Sequence, residues 1–214
     1  IGRSVGENKM DVLFINPGNA DGIYQDLSKV YSAIETPTWS LLLAQSCRSV
    51  GYDVGILDVN AERLPTQDAV NRIKALNPRL VCFVVYGQNP NAGTVNMAGA
   101  MILSKALKDR GFNSPISVVG SHVQALPYET LEKEKNIDFV FVNEGVYSLW
   151  NVLKLKDIGD VEQLKTVKGL GIREGKKVRL TPAEKIVPHE RMDQDLPGYA
   201  WDLLPYEKEP LDLY

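Results

Sequence analysis

Short apolar runs alternate with longer amphipathic stretches five times along this 214-residue chain, and this pattern constrains the fold more than any other feature. A short apolar run bounded by turn residues predicts a buried strand, and apolar residues at helical spacing predict a helix. Five such units predict a doubly wound α/β fold, a five-stranded parallel sheet with helices on both faces and the flavodoxin-like strand order 2-1-3-4-5. The predicted strands are Asp11–Asn16, Tyr52–Val59, Leu80–Tyr86, Ile116–Val119 and Asp138–Val142, and the predicted helices are Thr38–Val50, Thr66–Leu76, Asn96–Asp109, Tyr128–Glu134 and Val146–Leu155.

The chain divides into four predicted segments. Residues 1–9 are polar and aperiodic and are expected to form a disordered leader, and residues 10–156 form the α/β domain. Residues 157–180 predict a β-hairpin appendage, because two short strand-like runs flank the turn Arg173-Glu174-Gly175. Residues 181–214 contain five prolines, which predicts an extended tail without regular structure whose apolar residues lie against another surface.

Composition narrows the possible partners. The formal net charge is −3 and no basic stripe is present, which argues against nucleic-acid binding. No apolar run is long enough to cross a membrane. Cys47 and Cys82 fall in a predicted helix and strand and are interpreted as core residues, and the absence of a CxxC or Cys/His cluster excludes a zinc or iron–sulfur site built from this chain alone. With few thiols and no signal peptide, we expect a cytoplasmic location.

The loops at the carboxyl ends of the predicted strands form the candidate ligand site, because ligands bind there in open parallel sheets. All four of these loops contain glycine, which lets the backbone approach a ligand closely, although glycine is also common in such turns. The pattern predicts a bulky planar or chain-like ligand rather than a small charged substrate. The loops are Asn16-Pro17-Gly18, Tyr86-Gly87-Gln88-Asn89, Gly120-Ser121-His122 and Asn143-Glu144-Gly145.

The same loops disfavour the common ligands of this fold. A response-regulator domain needs an acidic pair after strand one and an aspartate after strand three, where this chain has Asn16 and Tyr86. Residues 16–21 lack the Ser/Thr-rich phosphate loop of a flavodoxin. No GxGxxG string opens the first helix, which argues against a dinucleotide site.

Several short motifs occur in a characteristic order between about residues 10 and 205. Asn-Pro ends strand one, Pro-x-x-x-Leu-Leu begins the first helix, Gly-Tyr-x-Val precedes strand two, and an aspartate ends strand two. Gly-Ser-His follows strand four, Asn-Glu-Gly-Val follows strand five, Gly-Leu-x-x-Arg lies in the hairpin, and two Leu-Pro segments lie in the tail. These motifs are Asn16-Pro17, Pro37–Leu42, Gly51–Val54, Asp58, Gly120–His122, Asn143–Val146, Gly169–Arg173, Asp195–Pro197 and Ala200–Pro205.

This order of motifs resembles the cobalamin-binding domain of cobalamin-dependent radical S-adenosylmethionine enzymes. Two loops depart from the family patterns Gly-Gly-x-His and Gly-Glu-Gly-Glu, through Ser121 in the first and through Asn143 and Val146 in the second. The resemblance implies base-off cobalamin lying across the carboxyl ends of the strands, with its nucleotide tail between strands and helices. Residues 16–21 lack the histidine of the DxHxxG loop that ligates cobalt in the methionine-synthase type.

The resemblance also implies a larger enzyme, a methyltransferase in which a radical barrel of the same polypeptide holds a 4Fe–4S cluster and S-adenosylmethionine. The CxxxCxxC motif of that barrel is absent, so we expect it beyond Tyr214 and expect this chain alone to be inactive. No catalytic residue or metal ligand is assigned here. The implied cofactor-binding residues are Pro17, Gly18, Thr38, Trp39, Tyr86, Gly87, Gln88, Asn91, Gly120, Ser121, His122, Val123, Asn143, Glu144 and Gly145.

Structural roles are the alternatives for these residues. Trp39 could fill the core, His122 could bond to nearby backbone, and Glu144-Gly145 could cap the next helix instead of binding ribose hydroxyls. Two other functions also stay open: an interaction or structural module without a cofactor, and an unrelated flavodoxin-like enzyme. The second is disfavoured because no catalytic constellation is predicted at the strand ends.

Overall fold

The computed structural model describes residues 9–18, 35–86 and 90–205, and the side chains of residues 90–92, 94 and 95 also lie outside the described part. Five parallel strands pair in the order β2-β1-β3-β4-β5, which confirms the predicted doubly wound sheet. All residues of the first and third strands are buried, as their unbroken apolar sequences predict. The strands are β1 Val12–Asn16, β2 Val54–Asp58, β3 Leu80–Val84, β4 Ile116–Val119 and β5 Phe139–Phe141.

The five predicted parallel strands are present, and the two strands of the predicted hairpin bring the described sheet to seven. The hairpin strands β6 Leu170–Glu174 and β7 Lys177–Leu180 extend the sheet, with β6 antiparallel to β5. Its residues Leu170 and Ile172 are fully buried opposite Phe141 and Phe139. Burying these side chains and pairing the exposed edge of β5 explain why the hairpin is not a separate appendage.

Eight α-helices occur in the described residues, including every predicted one. One helix begins at Pro90, six residues before its predicted start, and the short helix Ser121–Ala125 was not predicted. None of the described helices has the length and apolarity needed to span a membrane. The helices are α1 Thr38–Ser49, α2 Thr66–Leu76, α3 Pro90–Asp109, α4 Ser121–Ala125, α5 Pro127–Lys133, α6 Val146–Leu153, α7 Val161–Leu164 and α8 Met192–Asp195.

The sheet separates two hydrophobic cores. Val12 and Phe14 of β1 face one core with α1 and α6, whereas Leu13 and Ile15 face the other with α2, α3 and α5. The connections that leave β1 and β3 therefore run over opposite faces, which places the topological switch point between these two neighbouring strands. Ligands of doubly wound sheets bind at the carboxyl end of this point.

Both cysteines lie in the first core, as predicted. Cys47 of α1 and Cys82 of β3 are buried free thiols. Burial raises the pKa of the Cys47 thiol well above its usual value and that of Cys82 to about 12. Both therefore stay neutral at physiological pH and act as small apolar side chains.

The tail packs on its own domain. The prediction of a tail without regular structure is wrong, because α8 and two 3-10 turns, His189–Arg191 and Trp201–Leu203, form between the prolines. The Ala200 amide donates to the Leu41 carbonyl of α1 at 3.3 Å. Val187 and Ala200 of the tail are buried in the first core, and Leu204 is also buried.

The guanidinium of Arg173 on β6 ties the hairpin to the carboxyl end of α5. It donates to the backbone carbonyls of Leu131, Glu134 and Ile137 at 2.7–3.3 Å. These bonds satisfy carbonyls that the end of a helix leaves without partners. The arrangement gives a structural reason for the Gly-Leu-x-x-Arg motif.

We expect Arg173→Lys to lower the free energy of unfolding by about 2 kcal/mol, because an ammonium cannot reproduce the forked hydrogen bonds. Urea denaturation measures this change. Arg179→Lys is the matched control, since Arg179 lies exposed on β7 with only a 3.9 Å ion pair to Glu174. Equal losses in the two variants would contradict the assigned role.

The carboxylate of Asp195 holds α8 against α6. It accepts hydrogen bonds from the Tyr147 hydroxyl and from Arg191, whose Nη2 lies 2.7 Å from Oδ1. The hydrogen bond from Arg191, with help from Tyr147, lowers the pKa of Asp195. Burial, with the hydrogen bond to Asp195, raises the pKa of Tyr147 to about 12.

A carboxyl group with a lowered folded-state pKa stabilises the fold above its unfolded pKa of about 3.9, and this contribution is lost as the pH falls through the lower folded value. We therefore expect wild type to be more stable than Asp195→Asn at pH 7, and expect this difference to shrink towards pH 3. Urea denaturation of both proteins at the two pH values measures it. A difference independent of pH would show that the carboxylate charge does not stabilise the docked tail.

Candidate functional site

The predicted loops meet at one edge of the sheet, which we call the carboxyl rim: residues 16–18, Tyr86, 120–123 and 143–145, together with the amino end of α1. They meet because parallel strands end on the same side and α1 begins there. Gly87 and Gln88 lie outside the described residues. Asn91 lies in the first turn of α3, and its side chain is outside the described part.

An aromatic pair lies on the rim. The rings of Trp39 and Tyr86 are 5.4 Å apart between centroids, and the Trp39 indole N–H donates to the Glu144 carbonyl at 3.0 Å. Both residues are partly buried and pack against the first core. Trp39 therefore contributes to the core and also lies on the rim. Burial raises the pKa of the Tyr86 hydroxyl to about 12, which keeps it neutral at physiological pH.

The amide of Gln124 on α4 cross-links three rim loops, a role that sequence analysis missed. Its Nε2 donates to the Tyr86 hydroxyl at 2.6 Å and to the Asn143 carbonyl at 2.7 Å. Asn96, which sequence analysis placed only at a helix start, donates to the Tyr86 carbonyl at 2.9 Å. The neutral amides of Gln124 and Asn96 therefore hold the rim loops in place. No sequence signal indicated this role beyond their positions in the segments that follow β3 and β4.

Gly120 allows the loop after β4 to lie against the end of β3. Its φ is 151°, and a Cβ at this position would lie 2.4 Å from the Val85 carbonyl oxygen. Ser121, the next residue, also packs closely. Its hydroxyl lies 2.6 Å from the position that a Cβ on Gly93 would occupy. The loops after β3 and β4 are therefore tightly packed at Gly120 and Gly93, and Gly120 has the positive φ that glycine allows.

The loop after β1 is held down by a buried polar pair. The side-chain amide of Asn16 donates to Asp58 at 2.9 Å, and the same carboxylate oxygen accepts from the Ala61 amide at 2.9 Å. Both side chains are buried, so these two motif residues join the loops after β1 and β2. Pro17 and Gly18 follow directly and line a cavity of about 70 Å³ with Gly99. This cavity is too small for a cofactor.

The structure gives the Glu144 carboxylate a contact with the tail that the sequence analysis did not predict. Its carboxylate accepts a hydrogen bond from the Val187 amide of the tail at 2.6 Å. Burial raises the pKa of this carboxyl group. The start of α6 is organised instead by Asn143, whose side-chain oxygen accepts from the Gly145 amide at 3.0 Å. Glu144 therefore links the rim to the tail.

Few charges face the described rim. Among the predicted site residues, His122 is partly buried in α4, and the carboxylate of Glu144 is engaged with the tail. The described residues contain no group of three or more His, Cys, Asp and Glu side chains placed to hold a metal ion. Glycines, amides and aromatic rings suit a large, mostly neutral ligand better than a small charged one.

A protein-family model described as the B12 binding domain matches residues 26–153. Among solved structures, one similar to this chain is OxsB, a cobalamin-dependent S-adenosylmethionine radical enzyme with aqua-cobalamin bound. The match covers 92% of this chain and 25% of the OxsB chain, with 14% identity and a TM-score of 0.65. A second similar structure is TsrM from Kitasatospora setae, a radical S-adenosylmethionine methyltransferase with tryptophan substrate and an S-adenosylmethionine analogue bound. The match covers 80% of this chain and 30% of TsrM, with 19% identity and a TM-score of 0.59.

These two likenesses concern the fold. The present chain spans less than a third of the length of either enzyme. No curated protein sequence matches it.

Proposed function

This chain belongs to the B12-binding domain family, and on that basis we propose that it is the cobalamin-binding module of a radical S-adenosylmethionine enzyme. The observation that carries the proposal is the family match over residues 26–153, which includes three of the four rim loops. The rim itself supports it, since neutral amides and close backbone contacts shape a broad, charge-poor edge at the switch point of the sheet.

The residues proposed to hold the cofactor lie on the loops after β1, β3, β4 and β5 and on the first turns of α1 and α3. In this proposal the backbone of Gly120–Val123 contacts the macrocycle or its amide side chains, and the aromatic pair of Trp39 and Tyr86 bounds the apolar side. Gln124 is a positioning residue, because it fixes the loops around Tyr86 and Asn143. The remaining proposed contacts are Pro17, Gly18, Thr38, Gly87, Gln88, Asn91, Asn143, Glu144 and Gly145.

We also propose that the cofactor is bound base-off without a histidine from the first-strand loop. Residues 16–21 contain no histidine, and the two histidines of the chain are His122 and His189. His189 is exposed in a 3-10 turn of the tail. His122 follows β4 rather than β1. It therefore does not occupy the place of the cobalt-ligating histidine of the methionine-synthase type.

The whole enzyme is proposed to be a methyltransferase, with a 4Fe–4S cluster and S-adenosylmethionine in a further domain of the same polypeptide. TsrM is described as a radical S-adenosylmethionine methyltransferase, which supports this reaction class. When bound, cobalamin supplies a cobalt-borne methyl group, and that chemistry belongs to the cofactor. The residues of this chain bind and orient the macrocycle and exclude water from its covered face. This chain alone is expected to be inactive.

Spectroscopy of the loaded protein tests the binding mode. After hydroxocobalamin is added and excess removed by gel filtration, reduction to the cobalt(II) state should give an EPR spectrum without hyperfine splitting from an axial nitrogen. His122→Ala should give the same spectrum. Nitrogen splitting in wild type that disappears in His122→Ala would overturn the proposed ligation, and protein that emerges free of corrinoid would favour the structural-module alternative.

A further inference from the structure

A buried serine near the carboxyl rim lacks a hydrogen-bond partner. The hydroxyl of Ser40, in the first turn of α1, is fully buried and has no partner in the described structure. Ser46 on the same helix is equally buried and equally without a partner. Buried hydroxyls usually have partners, because leaving them without one destabilises a fold. Ser40 differs from Ser46 in lying at the end of the helix that reaches the rim.

That end of α1 also has no side-chain cap, although the Thr38 amide donates to the Thr36 carbonyl at 2.8 Å. The residue before the helix is Pro37, no side chain caps the helix, and its first turn contains no acidic residue. The first N–H groups of a helix have no acceptor within it, and the helix dipole places partial positive charge there. The contacts of Trp39 with Tyr86 and with the Glu144 carbonyl fix this end at the rim.

Helix geometry directs the Ser40 hydroxyl towards the rim. Ser40 shares a face of α1 with Ala44 and Cys47, which pack in the first core against the sheet. Side chains on a helix tilt towards its amino end, so the Ser40 hydroxyl points along the sheet to its carboxyl edge. The nearby carboxylate of Glu144 is turned to the Val187 amide of the tail.

We propose that Ser40 and the amino end of α1 form a subsite for a phosphate oxyanion, and that its occupant is the phosphodiester of the nucleotide loop of a corrinoid. This inference rests on the proposed function. A hydroxyl donor beside the positive end of a helix suits a singly charged phosphodiester. The same chemistry would suit free phosphate, so the test separates the two sources.

Binding of three corrinoids locates the contact: cobalamin, cobinamide phosphate and cobinamide. Cobinamide phosphate keeps the phosphate but lacks the ribose and the base. Cobinamide lacks the phosphate, the ribose and the base. Dissociation constants are measured for wild type, Ser40→Ala and the matched control Ser46→Ala. We expect Ser40→Ala to bind cobalamin and cobinamide phosphate roughly tenfold more weakly, the loss expected for one hydrogen bond to a charged group, and cobinamide unchanged. Ser46→Ala should leave all three constants unchanged.

The outcomes are separable. If wild type binds the corrinoids but Ser40→Ala loses none of them, or loses all three equally, the nucleotide-loop phosphate is not the occupant while the proposed function stands. If wild type binds none of them, the proposed function fails and the subsite with it. If inorganic phosphate raises the melting temperature of wild type but not of Ser40→Ala, and cobalamin affinity is the same in both, free phosphate replaces the nucleotide loop as occupant.

Folding of the variants is checked in the same samples. Removing a buried hydroxyl without a partner should leave the melting temperature of cofactor-free Ser40→Ala and Ser46→Ala unchanged or raised. A weaker affinity in a variant that melts no lower than wild type identifies a binding contact rather than damage to the fold.

Discussion

Gly120→Ala is expected to lower the free energy of unfolding by about 3 kcal/mol, the sum of a strained backbone and an overpacked contact. The backbone at Gly120 has φ 151° and ψ 173°, a region that residues with a side chain rarely adopt. The added Cβ would lie 2.4 Å from the Val85 carbonyl oxygen, which cannot move without disturbing β3. Urea denaturation followed by circular dichroism measures the loss.

Gly111→Ala is the matched control for this substitution. Gly111 follows α3 with φ 72°, and a Cβ there would meet no atom within 4 Å. Only the backbone cost of about 1 kcal/mol is expected at this position. If Gly120→Ala destabilises the protein no more than Gly111→Ala, the loop after β4 does not pack as tightly on β3 as described here.

Asp58→Ala is expected to lower the free energy of unfolding by about 2–3 kcal/mol, because it leaves two buried donors without their acceptor. These donors are the Asn16 side-chain amide and the Ala61 backbone amide, each 2.9 Å from the same carboxylate oxygen. The substitution should also loosen the loop that follows β1. Thermal and urea unfolding measure the first effect, and hydrogen exchange at Ala61 measures the second.

Asp109→Ala controls for the loss of a carboxylate. Asp109 is exposed in an ion pair with Lys105 on α3, so its removal should change stability by less than about 0.5 kcal/mol. Similar effects of the two substitutions would show that the buried pair does not hold the loop.

Local sequence pattern was sufficient to predict the parallel part of the fold. The unbroken apolar run at β3 and the helical spacing of α2 reflect burial within each element, so a single stretch of sequence carries the signal. The order 2-1-3-4-5 was predicted because strand–helix alternation with helices on both faces is typical of doubly wound sheets with the flavodoxin-like order.

Long-range pairing was not predictable in the same way. β5 has only three residues, and nothing local in Leu170–Glu174 indicates that it pairs with β5 instead of forming a free hairpin. The tail was treated as irregular because of its prolines, yet Val187 and Ala200 pack into a core whose other buried residues run from Val12 to Ile172. Burial supplied by distant residues overrides local propensity at these positions.

Some features of the candidate site could be predicted from local sequence, and others depend on residues that are distant in the chain. Glycine positions and loop ends were visible in the sequence, and Gly120 has the strained, crowded backbone that explains its glycine. The contacts that shape the rim were not visible, since Gln124 reaches Tyr86 across 38 residues and Glu144 reaches Val187 across 43. Residues that hold functional loops can thus be polar, partly exposed and far apart in sequence.

Equilibrium dialysis against hydroxocobalamin tests cobalamin binding by this domain most directly. The account predicts saturable binding of one corrinoid per chain, with an absorption spectrum that differs from that of the free cofactor. Equal corrinoid concentrations on both sides of the membrane, with the protein shown to be folded by circular dichroism, would contradict it.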